Sequence, residues 1–323
     1  MGLRLGFIGT GGVAQGHMQR LAAMPEVEMA AYVDVLAERA EKAAADFGGK
    51  AYTDFRAMFE AEKLDGVVIC TPPFAHGDIE LAACELGLPM LIEKPVAISV
   101  AMAKPILSAV KASGVATVVA YKYRWDDHVI RARQMLEGKA VGLVFGNFWG
   151  GTPGTPWWSV QEQSGGQFVE QTTHIVDMAR YLCGEVTEVQ AFEVRGLVKR
   201  EGRDIADALT ANLKFASGAV GTISNTSILT GWGQSSLRVM AEQFTLQVAG
   251  SNLSWVGADG AGEYQCQADG YTGEDRAFVK AIQGDRSEVW ADYEEGVRSL
   301  AVTEAANISA ARDGEPIEVS SLL

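Results

Sequence analysis

The feature that most narrows what this chain can fold into is the run Gly9-Thr10-Gly11-Gly12-Val13-Ala14. It follows a short apolar stretch, Leu3 to Ile8, and opens a segment, Val13 to Met24, with helical periodicity that Pro25 stops. A glycine loop between a buried strand and a helix suits one task well. Gly9 makes the tight turn, Gly11 lets the backbone approach a pyrophosphate, and Ala14 is small enough for close helix–strand packing. The N–H groups at the helix start, near Gly12 and Val13, then face the anion. A second strand, Val27 to Val33, ends at Asp34, 25 residues after Gly9. A carboxylate there accepts hydrogen bonds from the adenosine ribose hydroxyls and repels a 2′-phosphate. Val35 and Leu36 follow it instead of basic residues, so NAD is favoured over NADP, with Arg39 the nearest cation.

The pattern continues as alternating periods. Helices are expected over Ala37–Phe47, from a cap at Asp54 to about Lys63, over Asp78–Leu86 and over Ser99–Ser113. Strands are expected over Gly66–Cys70, Pro89–Ile92 and Val115–Ala120. Strands alternating with helices imply βαβ units and a parallel sheet. After Ala120 the pattern changes. Helices are expected over Trp125–Leu136 and Val169–Leu182, with a Gly/Pro/Trp-rich stretch from Gly150 to Trp158 between them. Consecutive strand-like runs follow at Val186–Val194, Ala208–Phe215, Ala219–Ser227, Leu237–Met240 and Phe244–Val248. Two helices, about Asp275–Ile282 and Tyr293–Arg312, close the chain. Strands without intervening helices imply a largely antiparallel sheet. The expected architecture is α/β: a doubly wound Rossmann domain over residues 1–121, then an α/β domain with an open, largely antiparallel sheet over 122–323. No low-complexity linker separates them.

With 323 residues there is ample length for two cores. A net charge of −14 argues against nucleic-acid and anionic-membrane partners, which need basic patches. Cys70, Cys84, Cys183 and Cys266 form no C-x-x-C pair and are read as reduced. Met1 to Leu5 leads straight into a strand, without a secretory leader, and no apolar run reaches a membrane span. A cytoplasmic protein is expected.

Three more stretches carry a resemblance. They are Thr71-Pro72-Pro73-Phe74-Ala75-His76 after one strand, Glu93-Lys94-Pro95 after the next, and Ser164-Gly165-Gly166 ahead of Glu170-Gln171-Thr172-Thr173-His174-Ile175-Val176-Asp177. With the glycine loop, and over the whole chain, these resemble the Gfo/Idh/MocA oxidoreductases, the family of glucose–fructose oxidoreductase and inositol dehydrogenase. The resemblance implies hydride transfer between NAD and a sugar, cyclitol or related polyol or ketone. It also implies a homodimer or homotetramer packed through the C-terminal sheet.

The resemblance adds Thr71, Pro72, His76, Glu93 and Lys94 to the cofactor residues Gly9, Thr10, Gly11, Gly12, Val13 and Asp34. Lys94 stands beyond the carboxyl end of a strand, where ligands of open α/β sheets sit. A lysine there can hydrogen-bond the reacting oxygen and stabilise alkoxide character. His174 suits exchange of the hydroxyl proton. Glu170, four residues earlier on the expected helix and so on the same face, assists as the third catalytic candidate; relatives usually carry aspartate there. Asp177 is either a substrate contact or a structural carboxylate.

His76 either touches the nicotinamide end or caps its own helix. His17 is expected on the first helix without a chemical role, and His128 at the surface. Lys122 departs from the family's usual polar residue and is a candidate substrate contact. A Lys122–Glu170 pair would explain both departures. Arg124 reads as an anchor near the domain boundary. Trp157 and Trp158 are either substrate walls, stacking on sugar C–H faces, or packing residues. No metal is expected. Alternatives are an NAD-retaining enzyme without net redox change, such as an epimerase or eliminating hydrolase, and a non-enzymatic NAD-sensing regulator.

Overall fold

The computed structural model describes residues 2–323. The chain forms β1 (Leu3–Ile8), α1 (Gly12–Ala22), β2 (Val27–Val33), α2 (Ala37–Phe47), β3 (Lys50–Tyr52), α3 (Phe55–Ala61), β4 (Gly66–Ile69), α4 (Asp78–Glu85), β5 (Met90–Ile92), α5 (Val100–Ser113) and β6 (Thr117–Val119). Then come α6 (Asp127–Leu136), β7 (Val141–Trp149), α7 (Gln161–Ser164), α8 (Gln167–Glu170), α9 (Thr173–Cys183), β8 (Val186–Val194), β9 (Ala208–Phe215) and β10 (Val220–Thr226). The remainder is β11 (Gln234–Ala241), β12 (Phe244–Ala249), β13 (Asn252–Gly257), β14 (Gly260–Gln265), α10 (Gly270–Ile282), α11 (Tyr293–Ala311) and β15 (Ile317–Glu318). These elements fall into two compact units.

The first unit holds a six-stranded parallel sheet in the order β3-β2-β1-β4-β5-β6, with the direction of winding switching between β1 and β4. The continuous apolar runs follow from burial on both faces. Leu5, Phe7, Val67, Val68 and Ile69 are fully enclosed, each worth about 1.5–3 kcal/mol for the larger side chains.

The unit does not end near residue 121. It comprises residues up to Ala97, Met102–Lys122 and Tyr271–Gly296, so the expected 122–323 domain loses a segment. The reason is packing. Gly66 on β4 leaves room for α10: a Cβ there would meet Ile282 Cδ1 at 2.8 Å and Phe278 Cζ at 2.9 Å. Beyond α10, the Val119 N–H donates to the Ala291 carbonyl (2.8 Å), extending the β6 edge.

The second unit is built on a nine-stranded sheet, β14-β13-β12-β11-β7-β10-β9-β8-β15. Only β7 and β10 run parallel; every other neighbouring pair is antiparallel. The alternating burial of β9 and β10 shows one covered and one open face. α9 lies on the covered face, where a Cβ on Gly146 would meet Ile175 Cγ2 at 2.7 Å. The central strand β7 and the strands β13 and β14 lie outside the strands expected from the sequence. Among the described residues, no helix is long and apolar enough to cross a membrane, and all four cysteines are free.

Candidate active site

In the first unit, the carboxyl ends of β1, β2, β4 and β5 deliver Gly9, Asp34, Thr71 and Glu93. Gly9 has φ +86°, and a Cβ on it would lie 2.6 Å from the Cys70 carbonyl oxygen, so only glycine fits. Gly11 caps α1 without a side-chain bond. Gly11 and Gly12 face open space: apart from their chain neighbours and the helix's own backbone, no atom lies within 4 Å of where a Cβ would stand. This is a cradle with bare N–H groups along its floor.

Asp34 is only 7 % exposed. Its Oδ2 accepts from the Thr10 amide (3.1 Å) and hydroxyl (2.9 Å), and its Oδ1 accepts from the Leu36 N–H (3.0 Å). Thr10, read from sequence as a cofactor contact, therefore orients the acid. Oδ1, with one bond made, keeps a second acceptor site for a ribose hydroxyl. The Thr71 hydroxyl is buried without a partner. The open cradle, the oriented acid and the orphaned hydroxyl fit a dinucleotide.

His76 is buried and its Nδ1 lies 2.5 Å from Glu80, which also accepts the Gly77 N–H at 2.6 Å. Those contacts describe the capping alternative.

Lys94 follows β5, half-buried, with its peptide to Pro95 cis. Its N–H donates to Glu93 Oε2 (3.0 Å), while Glu93 Oε1 lies 3.1 Å from His17 Nε2. The other ring nitrogen of His17 bonds Asp275 on α10, and Arg20 Nε donates to the same carboxylate at 2.6 Å. Burial would lower the His17 pKa, but the hydrogen bonds and charges of Asp275 and Glu93 outweigh it and raise the group to about 10. His17 is thus an enclosed imidazolium behind the Glu93–Lys94 turn, not an idle helix residue. Burial, reinforced by Glu93 and Asp275, pushes neighbouring Glu274 well above the carboxylate range. Lys122 Nζ donates to the Tyr271 hydroxyl (2.9 Å) and stands 4.1 Å from that ring. Nothing in the sequence signalled Tyr271, which is 149 positions away.

In the second unit, Gly165 (φ +73°) and Gly166 (φ +82°) reverse the chain between α7 and α8. Expectation and structure differ at the next step. The expected helix Val169–Leu182 is broken at Gln171 and Thr172, so Glu170 ends α8 while His174 opens α9. The four-residue spacing therefore does not place them on one helix face. Glu170 accepts from Trp158 Nε1 at 2.7 Å. Trp158 is 2 % exposed and holds this acid with its indole edge, the packing alternative, whereas Trp157 is half-buried. Tyr123 packs edge-on to the His174 ring, centroids 5.5 Å apart. Asp177 is structural: Arg124 grips it bidentately (2.9 and 2.8 Å), and Ser299 donates to it at 2.8 Å. His128, expected at the surface, is 1 % exposed.

A doubly wound unit with this cradle, joined to an open-sheet unit carrying a histidine and a carboxylate, defines a dinucleotide-dependent oxidoreductase. The model of the oxidoreductase family with an NAD-binding Rossmann fold matches residues 3–121, and that of the GFO/IDH/MocA C-terminal domain matches residues 129–252. A levoglucosan dehydrogenase from Pseudarthrobacter phenanthrenivorans is 30% identical over 262 residues, 69% of this chain and 67% of that protein. An inositol 2-dehydrogenase from Rhizobium meliloti (strain 1021) is 26% identical over 327 residues, 95% of this chain and 96% of that protein. A solved levoglucosan dehydrogenase in complex with NADH shares the fold, with a TM-score of 0.88 at 23% identity and 99% of each chain covered. The chain belongs to the Gfo/Idh/MocA oxidoreductase family, as the sequence motifs implied.

Proposed function

We propose that this chain is an NAD-dependent dehydrogenase or reductase acting on a CH–OH or C=O group of a sugar, cyclitol or related polyol. The observation that carries the reading is the cradle of Gly9, Gly11 and Gly12 with Asp34 held by Thr10. The names of the relatives, an inositol and a levoglucosan dehydrogenase, support the substrate class. Gly9, Gly11, Gly12, Val13, Asp34, Thr71, Pro72 and Glu93 hold the dinucleotide, and Thr10 and His76 position them. Bound NAD supplies the acceptor for the hydride that leaves the substrate carbon. The Lys94 ammonium donates to the reacting oxygen and stabilises the negative charge that grows there. His174 takes the hydroxyl proton during oxidation and returns it during reduction. Glu170, held by Trp158, and Lys122 bind substrate hydroxyls, with Trp157 offering an apolar face.

Incubation with NAD and a panel of polyols, followed by the absorbance of NADH, tests this reading. The expected result is turnover on at least one cyclitol or anhydro-sugar. No turnover across the panel, with NAD tightly bound, would overturn it in favour of sensing. Asp34→Ala should weaken NAD binding by about 10–100-fold, since hydrogen bonds to a charged group are worth about 1.5–3 kcal/mol. It should also narrow the preference over NADP, as read by calorimetry with both nucleotides.

The open face of the nine-stranded sheet is the oligomer surface. Phe145, Phe192, Val220 and Val256 are exposed on it, opposite α9. Light scattering should give a dimer or tetramer mass, and Phe145→Asp should shift it toward monomer. A monomeric parent chain at micromolar concentration counts against this.

A further inference from the structure

A second cluster of chemistry-bearing side chains lies in the second unit. Asp126 caps α6, His128 stands in its first turn, and Cys266 follows β14. One ligand atom from each lies within 4.8 Å of the others. The three are differently held. Asp126 Oδ1 accepts the Gly270 N–H at 2.8 Å. His128 Nε2 lies 3.1 Å from the Gly250 carbonyl oxygen. A carbonyl only accepts, so Nε2 carries the proton and Nδ1 is the basic nitrogen. That Nδ1 is buried and has no hydrogen-bond partner, an unusual state for a buried polar atom. Cys266 is half-buried, with its sulfur 3.2 Å from the Ala268 carbonyl oxygen. Asp127 stands beside it, accepting from the Tyr264 hydroxyl (2.9 Å) and the Gln267 N–H (3.1 Å).

We propose that Asp126, His128 and Cys266 form a binding site for a zinc-type divalent cation, which pins the start of α6 to the segment leaving β14. The mixed oxygen, nitrogen and sulfur donors suit a borderline-soft ion. The ring is oriented by a carbonyl on its far nitrogen and the carboxylate by a backbone N–H, the outer partners that metal ligands ordinarily have. Bonds of about 2.0–2.3 Å in a tetrahedron set donors about 3.3–3.8 Å apart. From the 4.8 Å limit, closure by about 1–1.5 Å is enough, within reach of side-chain rotation. Binding replaces the thiol proton, which leaves to solvent, and a water fills the fourth position. The carboxylates of Asp126 and Asp127 with the thiolate offset the double positive charge. Cys266, only half-buried, gives an entry path. This site is separate from the residues assigned to hydride transfer and does not depend on that assignment.

The test uses the full chain stripped with chelator and titrated with Co²⁺, then Zn²⁺. One equivalent of Co²⁺ should bind with a thiolate-to-cobalt charge-transfer band and tetrahedral visible bands, and Zn²⁺ should displace it. Cys266→Ser should remove the charge-transfer band, and His128→Asn should weaken binding at least about 10-fold. Cys183→Ser should leave both unchanged. In the unsubstituted chain, one equivalent of Zn²⁺ should protect a single thiol from a disulfide reagent and raise Tm by about 2–4 °C. Peptide mapping should identify that thiol as Cys266. Absence of stoichiometric binding, a band that survives Cys266→Ser in a folded variant, or protection of another thiol overturns the proposal.

Discussion

Lys94→Met should lower turnover by about 10²–10⁴-fold while leaving NAD affinity within a few-fold of the parent. Methionine keeps the length and packing of the stem and removes only the ammonium group. The backbone anchor also survives, because the Lys94 N–H, not its side chain, binds Glu93 at 3.0 Å. The loss should therefore fall on kcat, the mark of an interaction made mainly in the transition state. His174→Ala should cost a similar factor. If both groups serve one oxygen, the double variant should lose clearly less than the product of the two single losses. A folded Lys94→Met enzyme that keeps more than about a tenth of parental kcat would remove the lysine from the chemistry. Full additivity would separate the two roles.

The second large effect is on stability. His17→Leu should destabilise the first unit by about 3–5 kcal/mol, because it leaves two enclosed carboxylates, Asp275 and Glu93, facing an apolar side chain. The pH dependence has a definite sign. The His17 pKa rises from 6.5 to about 10 on folding, so its contribution is complete below about pH 6.5 and is lost as pH climbs toward 10. Glu93 acts in the opposite sense. Burial would raise its pKa, but the His17 hydrogen bond and charge lower it, so its contribution fades as pH falls through the acidic range. Denaturant midpoints of the parent should decline between about pH 7 and pH 10, and His17→Leu should flatten that decline. An unchanged midpoint in the variant would mean that the network is not a charged one. The same variant should loosen the Glu93–Lys94 turn, visible as weaker NAD binding.

The glycine loop, Asp34 and the Glu93-Lys94-Pro95 turn were legible because each signal is local. A φ of +86° at Gly9, a carboxylate after one strand and a lysine after a later one are properties of neighbouring residues. That the first sheet is parallel follows from alternating periods for the same reason. β7 was not legible: Val141–Trp149 is interrupted by Gly142 and Gly146, which weaken a strand signal. Gly146 is there because Ile175 of α9 presses on the sheet at that point, a contact 29 residues away. The break between Glu170 and His174 was hidden for a related reason. Periodicity counts apolar positions and does not register where Thr172 turns its N–H back to the Gln167 carbonyl (3.0 Å).

By itself, then, the sequence determined the cofactor cradle, the α/β class and the family of this protein, each carried by short motifs and periodicities whose signals are local. Tertiary structure alone decided what pairs across the chain: His17 with Asp275, 258 positions apart, Arg124 with Asp177, and His128 brought near Cys266. It also returned residues 271–296 to the first unit. Burial is the physical reason. A charge or ring nitrogen removed from water must find a partner, and which partner lies within 3 Å depends on how distant elements pack, not on what precedes or follows it in the chain.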